Sequence, residues 1–412
     1  MTLNKTPFLL LLFTLSQLAL SQNNTSSTYS RYGIGLLNSK ADASTAGMGY
    51  AGIALPSEVY LNKLNPASYS AMDSVKFLFN LQGNIAFSNY QTSSDEQNNT
   101  NANIESLGFG FKAGKNWGMG FSLSPYSSIG YNINGEKYIL GTTDKYPVNY
   151  YGEGGISQLS WYNGFSIGKR LSLGINASYL WGSTDVIEVS YYPSIIGETI
   201  YNERNYHVSS LLFEYGFQYH QPIGLSTLSI GGIINMSTEL DTYYKQRIYN
   251  DITSDLSTTE TDVNNLFIPL SYQGGLALQT AKGLTVAADY RYGDWSNSKL
   301  LISGGEARNT HGGSFGIQYA AQRHHRSVFK RMHYRIGTFY NQQYLTVQGK
   351  DIDERGITAG FTIPMRDGSR INLGYEYKET GTTDAGLVKE TYNTIKLGIT
   401  FNENWFQKRK FN

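Results

Sequence analysis

Residues 75–89 read VKFLFNLQGNIAFSN. Val75, Phe77, Phe79, Leu81, Ile85 and Phe87 share one face of an extended strand; Lys76, Asn80, Gln82, Asn84 and Ser88 share the other. Period-two alternation of this length describes a strand with one apolar side, long enough to cross a bilayer at a tilt. The pattern recurs along the chain: Leu107, Phe109 and Phe111; Trp117, Met119, Phe121 and Leu123; Leu171, Leu173, Ile175, Ala177, Tyr179 and Trp181; Leu284, Val286, Ala288 and Tyr290; Ile395, Leu397, Ile399 and Phe401. About fourteen such strands are predicted between residues 75 and 401, an even number, as single-chain bacterial barrels require.

The opposite faces are rich in Gly, Ser, Asn and Thr and carry charge: Glu214, Asp289 with Arg291, Arg335, Arg370 with Glu376, and Lys396. A soluble two-sheet sandwich buries its apolar faces and puts charge in bulk water, whereas a membrane barrel turns the apolar band to lipid and holds charge in the lumen. Alternation alone fits both. Connection lengths favour the barrel. Short turns at 113–116, 168–170, 221–224, 280–283 and 364–369 alternate with polar stretches near 90–103, 125–155, 182–205, 237–264, 293–312, 345–356 and 378–391, expected to be external loops. Tyrosine and tryptophan gather toward strand ends, as an interfacial girdle requires. The last amphipathic strand, 394–401, is followed by Trp405 and Phe406 and a tail over 402–412, an arrangement that barrel-assembly machinery reads during biogenesis. The expected fold is therefore all-β, a transmembrane antiparallel barrel of about 14 strands with both chain ends on the periplasmic side.

Composition narrows the functional classes. The net charge is +1 and only 16% of residues are charged, so no basic field exists for nucleic acid. With no cysteine among 412 residues, disulfides, thiolate catalysis, Cys-ligated zinc and Fe–S clusters are excluded. No cofactor or metal is expected. Residues 1–21 have one early cation, Lys5, an apolar run over 8–20 and small residues at Ala19 and Ser21, the pattern of an export signal that leaves Gln22 first. The apolar run is shorter than a bilayer span, and Ser16 and Gln17 interrupt it.

Residues 22–74 do not fit the strand template. They contain Ala46-Gly47-Met48-Gly49-Tyr50-Ala51-Gly52 and Asn65-Pro66-Ala67, a Gly/Ala-rich stretch suited to filling a lumen as a plug. At these residues the chain resembles the FadL/TodX (OMPP1) family of outer-membrane transport proteins, in the divergent form seen in Bacteroidetes. Gly47 and Gly49 match the family's small-residue hatch element, and Asn65, Pro66 and Ala67 its Asn-Pro-Ala motif. The resemblance covers about residues 30–401. It implies a hatch that gates passage of hydrophobic small molecules, of fatty-acid or aromatic-hydrocarbon class, which leave sideways into the bilayer through a kink in the third strand. Gly118, Gly120 and Pro125 lie on that strand, where they either weaken its ladder or merely fit a crowded lumen and end the strand. The same architecture, by resemblance, also serves non-transporting subunits of secretion or assembly complexes. Long Tyr/Asn/Ser-rich external stretches and a charged lumen suit that alternative and its protein partners.

Three polar constellations remain. His207 and Ser209, two apart on an outward face, are similar to the pair used by an outer-membrane phospholipase, but no orienting group is evident and no enzyme is expected. His324 and His325, among Arg323, Arg326, Lys330 and Arg331, fit a basic connection beside phospholipid headgroups. Asp351, Asp353 and Glu354 fall on an expected external loop, where calcium bridging to lipopolysaccharide competes with a plain solvated turn.

Overall fold

In the computed structural model, described for residues 27–74, 76–192, 198–251, 256–263, 266–298, 305–320 and 327–404, the alternating segments form one closed antiparallel barrel of fourteen strands. The strands are β1 (Lys76–Gln91), β2 (Glu96–Gly114), β3 (Trp117–Tyr138), β4 (Lys145–Ile167), β5 (Leu171–Tyr192) and β6 (Glu198–Ile223). Two interrupted strands follow, β7 (Ser226–Asn235 and Asp241–Asn250) and β8 (Ser257–Val263 and Ser271–Gln279). The set is completed by β9 (Leu284–Gly293), β10 (Thr310–Ala320), β11 (His333–Val347), β12 (Lys350–Pro364), β13 (Arg370–Thr380) and β14 (Lys389–Asn404). Each strand pairs with its sequence neighbours, and β1 pairs with β14 along its whole length, from Lys76↔Asn404 to Gln91↔Lys389. Closure removes the sheet edges that a bilayer does not tolerate.

The facing agrees with the alternation. Ile175 and Leu397 point outward and are 42% and 45% exposed, while Asn176 between its apolar neighbours is fully buried. Tens of large apolar side chains outside and Asn, Ser, Thr and charge inside make sense only with lipid as the outer solvent. The described residues contain no helix long and apolar enough to cross a membrane.

The polar stretches expected to be external loops are mostly strand. β3 is 22 residues long and β6 is 26, about twice what a tilted strand needs to cross the hydrocarbon. The wall therefore rises far beyond the apolar band at the end opposite the short turns. The 345–356 stretch is a tight hairpin: Gln348 and Gly349 carry φ of 51° and 71°, the paired left-handed residues of a two-residue turn, and strand pairing resumes at Val347↔Lys350. The acidic set there is not a free ion site. Arg308 Nη1 lies 2.8 Å from Asp351, Arg308 Nη2 bonds Asp353, and Lys378 Nζ lies 3.2 Å from Glu354. Residues 1–21, His324, His325, Trp405 and Phe406 lie outside the described residues. His207 stacks on Tyr243 at the outer surface, ring centres 6.4 Å apart.

The segment from Ser27 to Asp73 threads the barrel interior and is nearly all buried. It holds a single-turn helix α1 (Ala43–Ala46), two 3-10 turns (Thr28–Arg31 and Pro66–Ala71) and a two-residue strand (Leu36–Leu37). α1 starts at Asp42, whose Oδ1 accepts the N–H groups of Ser44 and Thr45 at 3.1 and 2.8 Å, replacing bonds that a helix start lacks.

Candidate functional site

The inward charges predicted from alternation form a belt that grips the inner segment. Asp289 on β9 accepts the N–H groups of Gly52 and Ile53 at 2.7 and 3.1 Å. Arg291, 3.7 Å from Asp289, donates to the Tyr50 carbonyl at 2.7 Å. The Tyr50 hydroxyl donates to Glu376 on β13, and Lys396 on β14 sits over the Tyr50 ring at 5.6 Å. Lys396 in turn bonds Glu105 at 2.6 Å. Glu214 on β6 pairs with Lys40 of the inner segment and accepts from Asn176 at 2.5 Å. Buried charge is costly unless paired, and here each of these charges has a partner across the lumen wall or on the inner segment. Arg335 and Arg370 stand apart. They line a separate cavity of about 780 Å³ at the short-turn end, with Glu58, Tyr60, Lys282 and His333. There Arg335 donates to Gln318 at 2.7 Å and Thr362 at 2.6 Å.

The Asn65-Pro66-Ala67 motif is a local cap and a long-range tie at once. Asn65 Oδ1 accepts the Ala67 N–H at 3.0 Å and starts the 3-10 turn, with Pro66 at the position where a missing N–H costs nothing. Asn65 Nδ2 donates to the carbonyls of Ile53 at 2.9 Å and Phe217 at 3.0 Å. The wall meets this motif with glycines. A Cβ on Gly174 would stand 2.1 Å from Ala67 N, one on Gly216 2.2 Å from Asn65 Oδ1, and one on Gly118 1.9 Å from Tyr69 O. Gly120 faces the Tyr69 ring. Gly118 and Gly120 thus seat the inner segment, and the β2–β3 ladder runs unbroken past them as Lys112↔Gly118 and Gly110↔Gly120. On the inner segment, Gly49 adopts φ +65° and its N–H donates to Thr358 at 2.8 Å, while Gly47 approaches the backbone of Gly360.

Above these contacts the lumen contains a solid apolar cluster. Tyr29 and Ile34 pack with Leu180, Leu212, Leu240, Ile268, Trp295, Tyr344 and Val347 of the wall, and Tyr32, Leu36, Leu37 and Tyr126 join them. Beside it lies a cavity of about 500 Å³ bordered by Lys40, Glu105, Glu214, Arg291, Glu376 and Lys396 and equally by apolar side chains such as Leu37, Leu64, Pro125, Ile268 and Trp295. Nearby in the inner segment, burial pushes the Lys63 ammonium down to about 8; its Nζ donates to Ser106 at 2.6 Å.

The wall is also discontinuous between β2 and β3. The β2–β3 ladder ends at Leu107↔Leu123. Just above, β2 bulges at Glu105 and β3 bulges at Tyr126, one residue past Pro125. Lys40, Tyr50 and Glu105 were not signalled as site residues by alternation. Glu105 has the parity of Leu107 and would face lipid in a regular strand; the bulge turns it inward.

These features define a closed fourteen-stranded membrane-type barrel whose lumen is filled by its own N-terminal segment. The BamG family model matches residues 3–412, and the chain belongs to that family. No curated protein matches it. Solved structures share the fold at low identity. The CymD monoaromatic hydrocarbon channel matches at 14% identity and TM-score 0.60, over 88% of this chain and 97% of its own. The Ralstonia pickettii toluene transporter TbuX matches at 14% and 0.60, over 89% and 98%. A Pseudomonas aeruginosa FadL homologue matches at 14% and 0.59, over 90% and 98%.

Proposed function

We propose that this barrel is a non-conducting subunit of an outer-membrane protein assembly or secretion complex, with its inner segment acting as a permanent filling. The character of the lumen carries this reading. A hydrocarbon pocket is lined mainly by apolar side chains with few polar groups. Here much of the apolar volume is occupied by Ile34, Leu36, Leu37, Tyr29 and Tyr32 of the chain itself, and the vacant space mixes apolar lining with ion pairs such as Lys40–Glu214 and Lys396–Glu105. The family's name hints at association with barrel assembly. The tall Tyr/Asn-rich hairpins offer adaptable contact surface for protein partners.

A second reading, uptake of fatty acids or aromatic hydrocarbons gated by the segment around Asn65-Pro66-Ala67, is favoured by one observation. The broken β2–β3 ladder is a sideways opening in a fold shared with hydrocarbon channels. Purification from native outer membranes in mild detergent, paired with a deletion strain, separates the two. The subunit reading expects stoichiometric copurification with barrel-assembly proteins, lowered levels of other outer-membrane barrels on deletion, and unchanged uptake of fatty-acid and toluene probes. Isolation of a monomer carrying a hydrophobic ligand, with uptake lost on deletion, would overturn it.

A further inference from the structure

Above Leu107↔Leu123, β2 keeps its pairing with β1 and β3 keeps its pairing with β4, but the two no longer pair with each other. Part of this edge lies at membrane level. Ala102 and Thr100 on β2 stand opposite Ile85 and Phe87, which face outward and are 44% and 47% exposed. Main-chain groups without partners are costly in hydrocarbon, so an edge at this depth needs water or a chain to satisfy it.

The β3 side shows what the slot accepts. Leu37 and Leu36 pair antiparallel with Ser127 and Ser128, and the N–H groups of Asn38 and Ser27 donate to Tyr126 O and Gly130 O, both at 2.9 Å. The inner segment therefore already adds a short strand to this edge and then turns away. Among the described residues no ladder continues past it on that side of β3. The β2 side reads EQNNTNANIES over 96–106. It contains no Lys, Arg or Pro, and the other guards of an exposed edge, a bulge and an inward charge, stand only at its foot, at Glu105. The charged cavity reaches the slot, with Asn101, Asn103 and Glu105 contributed by β2 and Pro125, Tyr126 and Ser128 by β3. Asn101 Oδ1 and Glu105 Oε2 are buried there without a hydrogen-bond donor.

We propose that the slot between β2 and β3 is a strand-docking site that receives an extended segment of a partner polypeptide on the outer side of the membrane. Repeating N–H and C=O groups satisfy the β2 edge, opposite the short strand that Leu36 and Leu37 already add to β3, and an amide-rich face suits the inward Asn99, Asn101 and Asn103; an acyl chain or aromatic hydrocarbon supplies neither. The inference rests on the subunit reading and gives it a point of attachment.

The test uses the full chain in its native outer membrane, with a photo-cross-linking amino acid placed singly at Asn98, Thr100, Ala102 and, as a control on a closed ladder, Tyr179. Cross-linked peptides are mapped by mass spectrometry. The expected result is one discrete polypeptide segment cross-linked from the three β2 positions and not from Tyr179, its attachment point moving by two residues for each two-residue step along β2. The double variant Thr100→Lys with Ala102→Lys, both on the exposed face, should lose at least nine-tenths of the cross-link from Asn98 while the barrel keeps its heat-modifiable gel mobility. Cross-links to lipid alone, to no polypeptide, or to scattered peptides without the two-residue register overturn the proposal. Copurification with assembly proteins in the absence of such cross-links would refute the slot and leave the subunit reading standing; loss of copurification as well would refute both.

Discussion

Substituting Gly174→Ala adds one methyl group to the lumen face of β5, where the inner segment offers it no space. The new Cβ would lie 2.1 Å from Ala67 N, 2.4 Å from Pro66 C and 2.6 Å from Ala67 Cα, all backbone atoms of a proline-fixed turn. To reach ordinary contact the turn must retreat by more than an ångström. That movement breaks the Asn65 Nδ2 bonds to Ile53 O and Phe217 O. Overpacking of this kind costs about 1–3 kcal/mol, and each lost hydrogen bond adds roughly 1 kcal/mol. A total of about 3–5 kcal/mol shifts the seated-to-unseated ratio by roughly two to three and a half orders of magnitude, at tenfold per 1.4 kcal/mol. The strand itself should tolerate the change, because alanine is at home in a barrel wall. Hydrogen exchange across residues 43–71 should therefore accelerate by about that factor, with ion conductance in planar bilayers rising in parallel and the heat-modifiable gel shift retained. Gly274→Ala, where nothing lies within 4 Å, is the matched control. Equal exchange rates in the two variants would show that the seat does not hold the segment.

Arginine at Ile175 or Leu397 should destabilise the barrel by about 2–4 kcal/mol near the midplane. Arginine at Asn176 or Gly398 should act only through lumen packing; equal tolerance at Leu397 and Lys396 in a detergent-unfolding series would mean the facing is inverted. Lys40→Met strands Glu214 in a buried site and should loosen the inner segment by about 3–5 kcal/mol, with most of the loss restored by adding Glu214→Gln; protease sensitivity of residues 27–60 reports it. Because burial lowers the Lys63 ammonium to about 8, the seated segment binds fewer protons than the released one between that value and the ordinary 10.5. Seating should therefore strengthen as pH rises from about 8 toward 10.5 and be flat below 8, and Lys63→Met should abolish the slope in hydrogen-exchange measurements corrected for intrinsic rate.

The apolar band was legible because each membrane strand solves the same local problem, lipid on one side and lumen on the other, so alternation survives in every one. The tall hairpins were not. Above the bilayer both faces of β3 and β4 are wet, alternation lapses, and pairing rests on contacts such as Asn149 Nδ2 with Asn132 and Asn134 at 2.6 and 2.8 Å, invisible to a hydropathy pattern. Residues 125–155 therefore read as loop. In the lumen, Glu214, Asp289, Arg291, Glu376 and Lys396 were found by parity alone, but their partners were not, since Lys40 lies 174 residues from Glu214 and Tyr50 lies 326 from Glu376. Glu105 was concealed by its bulge, which reverses the facing that parity assigns. For Gly118 and Gly120 the sequence left a weakened ladder and a crowded lumen as alternatives, and the close approach of Tyr69 is the contact that matches the second.

Glu390, on the last strand, accepts from Ser27 and from the Thr28 N–H and hydroxyl at 2.7–2.8 Å, across more than 360 residues of sequence. This bond sets an order of events in biogenesis. The beginning of the chain emerges first; its holds on β3 and β6, at Gly130 and Glu214, become available early, whereas those on β9, β13 and β14 come late. Until then the inner segment is held from one side of the growing sheet only, and the entropy cost of closing the last hold grows only logarithmically with the length of chain waited for. The arrival of β14 supplies in one step the strand that seals β1 and the carboxylate that secures Ser27. Sealing of the wall and locking of the first residues thereby share one late step, and a barrel that stalls before its final strand holds its inner segment by only part of these contacts.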